Sequence, residues 1–326
     1  MSVKNALVST AICVVSVIVA LAIGEGVLRL KNQAMDNYDI EMWRYARELK
    51  VPSPDPVLGH EHRPSSEAEL QGVDIRINGQ GLRGGPVAPR DSVERRILFL
   101  GSSVTLGWGV PEEQTLTVRL QRMFDAAGGP KTEVLNAGIG NYNTVRYVER
   151  FLTRLEPLKP TDIVVHYFVN DAEELPPGGG NFLLRHSELA VTLWIAFNRL
   201  FQAQGEASLV EHYRQVYRPQ ASGYRAMLQA LSKLKSHADS HGVRIYLMMT
   251  PDVHNLKDYK LGFIHERLQK VAAEMGFRYL DLLPAFQDLT AEELWAMPGD
   301  PHPNARGHEI MAKAIFPALK SASPTN

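Results

Sequence analysis

Nucleophilic acyl chemistry needs a hydroxyl, a base to take its proton, and neutral donors for the anion that develops. Four short blocks of this chain carry groups of those kinds. Gly101-Ser102-Ser103-Val104-Thr105-Leu106-Gly107-Trp108-Gly109 offers serine hydroxyls between glycines that let a substrate approach the backbone. Asn136-Ala137-Gly138-Ile139-Gly140-Asn141-Tyr142-Asn143-Thr144 offers backbone amides, and Phe168-Val169-Asn170-Asp171 a side-chain amide beside a carboxylate. Gly299-Asp300-Pro301-His302-Pro303-Asn304-Ala305-Arg306-Gly307-His308 offers an imidazole two positions after a carboxylate. Taken singly, each block has a plainer reading. Ser103 reads as a turn or capping residue, Asn170-Asp171 as a solvated strand-end turn, and His302 as a residue approaching a helix capped by Asn304 or a neighbour. Other chemistries fit less well. A phosphate-cradling loop needs Lys followed by Ser or Thr after its second glycine, and none is present. The G-x-S-x-G elbow of the α/β-hydrolases fails too, because the spacing here is G-x-S-x-T-x-G. His60, His62, His186, His241 and His254 show no HExxH-like spacing, so neither a metal nor another cofactor is expected. His166 and Tyr167 read as core residues inside a strand, and His308 as structural.

The elements that must position these blocks alternate along the chain. Short apolar runs at Ile97–Leu100, Val134–Asn136, Ile163–Val169, Arg244–Met249 and Tyr279–Leu282 read as strands. Between and after them, segments with apolar residues three and four apart read as helices at about Thr115–Ala127, Thr144–Leu155, Gly223–Ser240, Leu261–Met275 and Ala305–Lys320. That order predicts an α/β fold: a mostly parallel five-stranded sheet with helices on both faces, reactive groups gathering at the carboxyl ends of the strands. Residues 32–94 are polar and Pro-punctuated, with one alternating stretch at Val73–Ile77, and read as a stalk packing on the domain. The following glycine-rich Gly79–Gly85 predicts tight turns. A helical insertion at about 173–219 interrupts the rhythm with PPGGG and the apolar, Trp-containing Phe182–Phe201. Its Leu189–Leu200 part reads as a helix packed on the domain, with a bilayer contact or a lid over the site as alternatives.

In order and placement the four blocks resemble those of the SGNH (GDSL-type) hydrolase superfamily: a GDSxTxG serine, a glycine block, a GxND asparagine and a DxxHPN histidine. The resemblance covers about residues 95–319 and implies a flavodoxin-like, three-layer α/β/α fold. It implies Ser103 as nucleophile, His302 as its base and Asp300 as the carboxylate behind the base. Backbone N–H at Ser103, the backbone near Gly140 or Asn141, and the Asn170 amide would form the oxyanion hole. Three departures stand out. Ser102 replaces the usual Asp, Asn141 replaces the second glycine of its block, and Asp300 precedes His302 by two positions where the family has three. The third departure leaves two arrangements open, a triad through Asp300 or a Ser-His dyad with a backbone carbonyl orienting the imidazole.

Composition agrees with a folded enzyme and removes several other classes. The 326 residues are 44% hydrophobic and 22% charged, with material for a core. Thirty-five Lys+Arg against 36 Asp+Glu leave no positive field for a nucleic-acid partner. Cys13 is the only cysteine, which excludes an intrachain disulfide and a CxxC metal site. Ala6–Gly24 carries no charge and nearly spans a bilayer core of roughly 30 Å. It reads as an uncleaved signal anchor within residues 1–31, with cleavage after Ala22 the alternative. The expected organisation is an anchor at 1–31, the stalk at 32–94, a catalytic domain at 95–320 and a tail at 321–326. The expected protein is a single-pass membrane serine esterase with its domain outside the cytoplasm, periplasmic in a Gram-negative cell. Through the resemblance, its substrate would be a small ester, an acyl and foremost acetyl ester of envelope or exported carbohydrate. The rivals are an O-acetyltransferase on exported polysaccharide, a catalytically silent binding or assembly protein of the same fold, and a lipid-ester hydrolase.

Overall fold

The computed structural model describes residues 3–32, 37–175, 182–201, 206–298 and 300–321. Five strands, Thr132–Asn136, Arg95–Gly101, Asp162–Tyr167, Arg244–Met249 and Arg278–Asp281, lie side by side in that spatial order, every pairing parallel. Strand pleating sorts their side chains onto two faces. Ile97, Phe99, Val164, Tyr246 and Met248 join one core, while Leu98, Leu100, Ile163, Val165 and Leu247 join the other. Helices Thr144–Arg150, Ser222–His241 and Gly262–Met275 cover the second core; Leu116–Ala127 and Ala305–Lys320 cover the first. Burial on both faces is why the central strands read as unbroken apolar runs. At their amino ends the buried Asp162 accepts from Arg95 at 2.9 Å and from Arg244 at 2.7 Å, neutralising charge where three strands begin. The three-layer α/β/α architecture is the expected one. One helix differs in detail: the segment foreseen at Thr144–Leu155 is α-helical only to Arg150 and widens into a π turn over Phe151–Leu155.

The residues ahead of the sheet carry more structure than their polar pattern suggested. Lys50–Pro52 pairs antiparallel with His60–His62, and Ser66–Leu70 with Val73–Ile77. Gln71 and Gly72 turn the second hairpin with φ of 51° and 66°, the left-handed pair that a two-residue hairpin loop requires. Within the glycine-rich Gly79–Gly85, Arg83 bridges both Ile77 and Asn136, tying this hairpin to the edge of the sheet. Compactness divides the chain elsewhere than its composition does. The described residues from Glu48 through 94 belong to the same unit as the sheet, whereas those up to Arg47 form a second unit with the described part of 179–204. In this second unit Val3–Asn32 is one continuous helix, long and apolar enough to cross a membrane. The helical insertion is shared between the two units, Phe182–His186 and Glu188–Phe201 in one and Glu206–Val216 in the other. Its PPGGG sequence lies outside the described residues.

Candidate active site

The Arg95–Gly101 strand ends between two neighbours, and each neighbour sends a loop past the same edge. Phe99 pairs with Asn136 on one side and Gly101 with His166 on the other, so the blocks at 137–144 and 168–171 flank the serine turn. Ser102 precedes a one-turn helix, Ser103–Leu106, which Gly107 closes in the left-handed conformation. The half-buried Ser103 hydroxyl lies 2.7 Å from His302 Nε2, and His302 Nδ1 lies 2.5 Å from Asp300 Oδ1. The fold thus brings the three residues into one chain of hydrogen bonds. The two-residue spacing suffices because Asp300 and His302 sit on a strand, Asp300–Pro303, where alternate residues share a face. With Nδ1–H donated to Asp300, Nε2 is left as the acceptor for the serine proton. Burial alone would raise the Asp300 carboxyl, but the bonds from His302 and Gln71 outweigh it and hold it below the ordinary carboxylate value.

The strand carrying His302 is braced on several sides. It pairs antiparallel with Trp295–Met297, and the Trp295 indole N–H donates to Val253 O at 2.7 Å. Asn304 caps the last helix by accepting from Arg306 N and Gly307 N at 3.0 and 3.2 Å, while its own amide donates to Glu293 O. Gln71 Nε2 donates to Asp300 Oδ2 at 2.9 Å. The tip of the Ser66–Ile77 hairpin therefore touches the carboxylate that holds His302.

The two flanking loops are also pinned. Gly138 packs so tightly that a Cβ there would come 2.2 Å from Leu106 N and 2.7 Å from Thr105 C. Asn136 stitches the serine turn to this loop, donating to Thr105 O at 2.8 Å and accepting from Gly138 N at 3.0 Å. Asn141 has φ of 63°, a conformation glycine adopts freely and Asn more readily than most residues. Basic side chains hold the carbonyls of this loop. Lys50 Nζ donates to Gly140 O at 2.7 Å, where His60 Nε2 also sits at 3.1 Å; Arg146 donates to Asn141 O and Arg150 to Ala137 O. The peptide bonds of this loop are trans. A planar trans peptide directs its N–H opposite to its C=O, so the grip on Gly140 O aims Asn141 N–H away from Lys50. Across the serine, Asn170 is exposed at a turn whose backbone is secured by Tyr217 Oη donating to Val169 O at 2.9 Å. Thr144 N donates to Asp171 O, and Asn143 Nδ2 to Glu173 O, which locks the two loops together. Asp171 corrects the solvated-turn reading. It is fully buried, accepts from Tyr147 Oη at 3.1 Å, and burial pushes its carboxyl well above the usual range.

A model of the GDSL-like lipase/acylhydrolase family matches residues 99–310 of this sequence. The chain belongs to that family. As a GDSL-family member it is an SGNH-type ester hydrolase, and its N-terminal helix and the residues before 99 lie outside the match. This hydrolase is similar to a lipase/acylhydrolase from Enterococcus faecalis, at 17% identity over 71% of this chain and 99% of that one, TM-score 0.44. It is similar to a lipolytic G-D-S-L family protein from Veillonella parvula, at 14% over 70% and 100%, TM-score 0.44. It also resembles an acetylxylan esterase from Geobacillus stearothermophilus, at 16% over 72% and 97%, TM-score 0.45. No curated protein matches the sequence.

Several residues at this GDSL-family site escape a reading of the sequence. Lys50, His60 and Gln71 come from a stretch whose polarity signals only exposure, and no spacing links them to residues 140 or 300. His254 pairs with Asp252, Nδ1 to Oδ1 at 2.6 Å, which raises its pKa above the ordinary histidine value. His308 and His166 are buried, as a structural role requires; His308 Nδ1 accepts from Leu116 N at 2.9 Å and so serves a neighbouring helix. Away from the site, Glu156, His237 and His241 gather ligand-type atoms within 4.8 Å of one another. The four-residue spacing of the two histidines was legible as a helix-face pair; Glu156 joins them only through the fold.

Proposed function

We propose that this GDSL-family hydrolase works as a serine esterase through an acyl-enzyme on Ser103. His302 Nε2 takes the Ser103 proton as Oγ attacks the ester carbonyl. Asp300 fixes the imidazole tautomer and stabilises the imidazolium that forms. The N–H of Ser103, the backbone N–H at Gly140 or Asn141, and the Asn170 amide receive the oxyanion, each such donor being worth about 10²–10³ in rate. The imidazolium then protonates the departing alcohol. Water, deprotonated by the same imidazole, releases the acid and restores the serine. The observation that carries this reading is the hydrogen-bonded series from Ser103 Oγ through His302 to Asp300, at 2.7 and 2.5 Å. It also speaks against a catalytically silent protein, whose support is Ser102, Asn141 and the displaced Asp300.

The proposed substrates are acetyl esters of envelope or exported carbohydrate, hydrolysed outside the cytoplasm by an enzyme held to the membrane through Val3–Asn32. Transfer of the acetyl group to a sugar hydroxyl shares every step up to the acyl-enzyme. Turnover of a small aryl acetate by the full chain in detergent, compared with Ser103→Ala and His302→Ala, tests the mechanism. Both variants lose nearly all activity, Ser103→Ala no longer reacts with a fluorophosphonate, and Asp300→Ala costs less than either. Undiminished turnover by Ser103→Ala would refute the assignment. The ratio of hydrolysis to transfer with an oligosaccharide acceptor separates esterase from transferase.

A further inference from the structure

We infer that helix Glu188–Phe201 is a second membrane-seated element, entering the bilayer beside Val3–Asn32 with Leu193, Trp194 and Phe197 in the hydrocarbon. The inference rests on reading Val3–Asn32 as a membrane anchor. Its first support is the way the two helices are joined. The Glu25 carboxylate accepts from Ser187 Oγ at 2.9 Å and from the backbone N–H of Glu188 and Leu189 at 3.0 Å each, capping the insertion helix with an anion at its N-terminus. Arg29 donates to His186 O at 2.9 Å, and Asn32 Nδ2 to Glu188 Oε2 at 2.7 Å.

These contacts also fix direction. From His186 to Leu189 the partners on the anchor step back from Arg29 to Glu25, and Leu189 lies against Gly24. The insertion helix therefore starts where the charge-free run Ala6–Gly24 ends and heads back along it. Its own next residues, Leu189–Asn198 (LAVTLWIAFN), carry no charge, and ten helical residues rise about 15 Å, half the roughly 30 Å hydrocarbon core. The helix can enter one leaflet without crossing it. On its surface Leu193, Trp194 and Phe197 are 61%, 55% and 61% exposed, beside an anchor whose Ile18, Leu21 and Ile23 are equally bare. A contiguous apolar face continuous with a membrane span has lipid as its natural partner.

Cys13, exposed at mid-span, supplies an internal control. The full chain is reconstituted in lipid nanodiscs and labelled with a charged maleimide, either as it stands or with Cys13→Ser combined with Leu193→Cys, Phe197→Cys or, as a water-exposed reference, Ser236→Cys. Leu193→Cys and Phe197→Cys, like native Cys13, label at least tenfold more slowly than Ser236→Cys, and all label fully in denaturant. Lipid brominated along its acyl chains quenches a fluorescence component that Trp194→Phe removes. Aryl-ester turnover shows that the variants fold. Protection of Cys13 with fast labelling at 193 and 197 overturns the inference and leaves the anchor standing. Fast labelling of Cys13 overturns the anchor reading itself. Slow labelling at 193 and 197 without quenching of Trp194 means that protein covers the face, as a lid or a second copy would, and also overturns the inference.

Discussion

Replacing Lys50 with methionine keeps the length of the side chain and removes the amino group that holds Gly140 O at 2.7 Å. The Gly140–Asn141 peptide then keeps His60 Nε2 at 3.1 Å as a second hold, so Asn141 N–H is loosened without being released. Taking a donor away from a buried carbonyl costs about 1–3 kcal/mol. With the second hold in place, the share that reaches the oxyanion is about 1.4–2 kcal/mol, a ten- to thirtyfold fall in kcat. The ceiling is loss of the whole donor, about 10²–10³. In the proposed mechanism that amide binds only the developing anion, so KM for an aryl acetate stays within about twofold while kcat falls. Folding should not suffer, since burial, helped by the charge of Arg146, already drives the Lys50 pKa well below the ordinary lysine value. The assay is steady-state hydrolysis of an aryl acetate by Lys50→Met and by Lys50→Arg, alongside binding of a boronic acid that mimics the tetrahedral intermediate. The arginine variant recovers part of the loss, and the boronic acid weakens in step with kcat for Lys50→Met. Unchanged kcat, or a loss confined to KM, would refute the link from Lys50 to the oxyanion.

Gln71→Leu removes the 2.9 Å donor to Asp300 and lowers kcat of aryl-acetate hydrolysis roughly tenfold; a rate identical to wild type counts against a role for the hairpin. Gly138→Ala drives a methyl into the backbone of Thr105 and Leu106 and lowers stability by about 1–3 kcal/mol or more in urea unfolding, with a matching loss of soluble protein; a neutral result would mean that the serine turn gives way easily. Stability also falls with acid in two stages. His166, buried and held at about 3, cannot take up in the folded state the proton that the unfolded chain accepts near pH 6.5, so its own contribution to stability declines by about 1.4 kcal/mol per pH unit between those limits. Asp162 is held below its ordinary value by Arg95 and Arg244 against the opposing effect of burial; its contribution is present above about pH 4 and is lost as the pH falls further. Urea midpoints that stay level from pH 7.5 to pH 5 would contradict the first stage.

Much of this protein is legible in one dimension because the physics behind it is local. Unbroken apolar runs of strand length and amphipathic repeats between them follow from which faces must be buried, and they place all five central strands and five of the helices that cover them. Ser103, Asn170 and His302 are visible only as a set: each has a plainer turn, capping or helix-approach reading, and the ordered resemblance to the four SGNH blocks is what singles them out. The charge-free run Ala6–Gly24 is equally plain, since a bilayer selects on length and composition.

Tertiary structure decided what depends on approach across long stretches of chain. Whether Asp300 reaches the imidazole turned on strand geometry at 300–303, where a two-residue step keeps both side chains on one face. Residues 32–94 read as a stalk packing on the domain, but where they pack was not legible, because hydrophobic patterning is blind to a buried amino group or amide whose partner is a carbonyl or carboxylate elsewhere. Lys50 and Gln71 meet Gly140 and Asp300, 90 and 229 positions away, and no local period encodes such a meeting. The same holds for Glu25, which meets the helix start at 187–189 more than 160 positions on. Burial of apolar faces is a property each segment carries by itself; a hydrogen bond between distant polar groups exists only once the whole chain has folded.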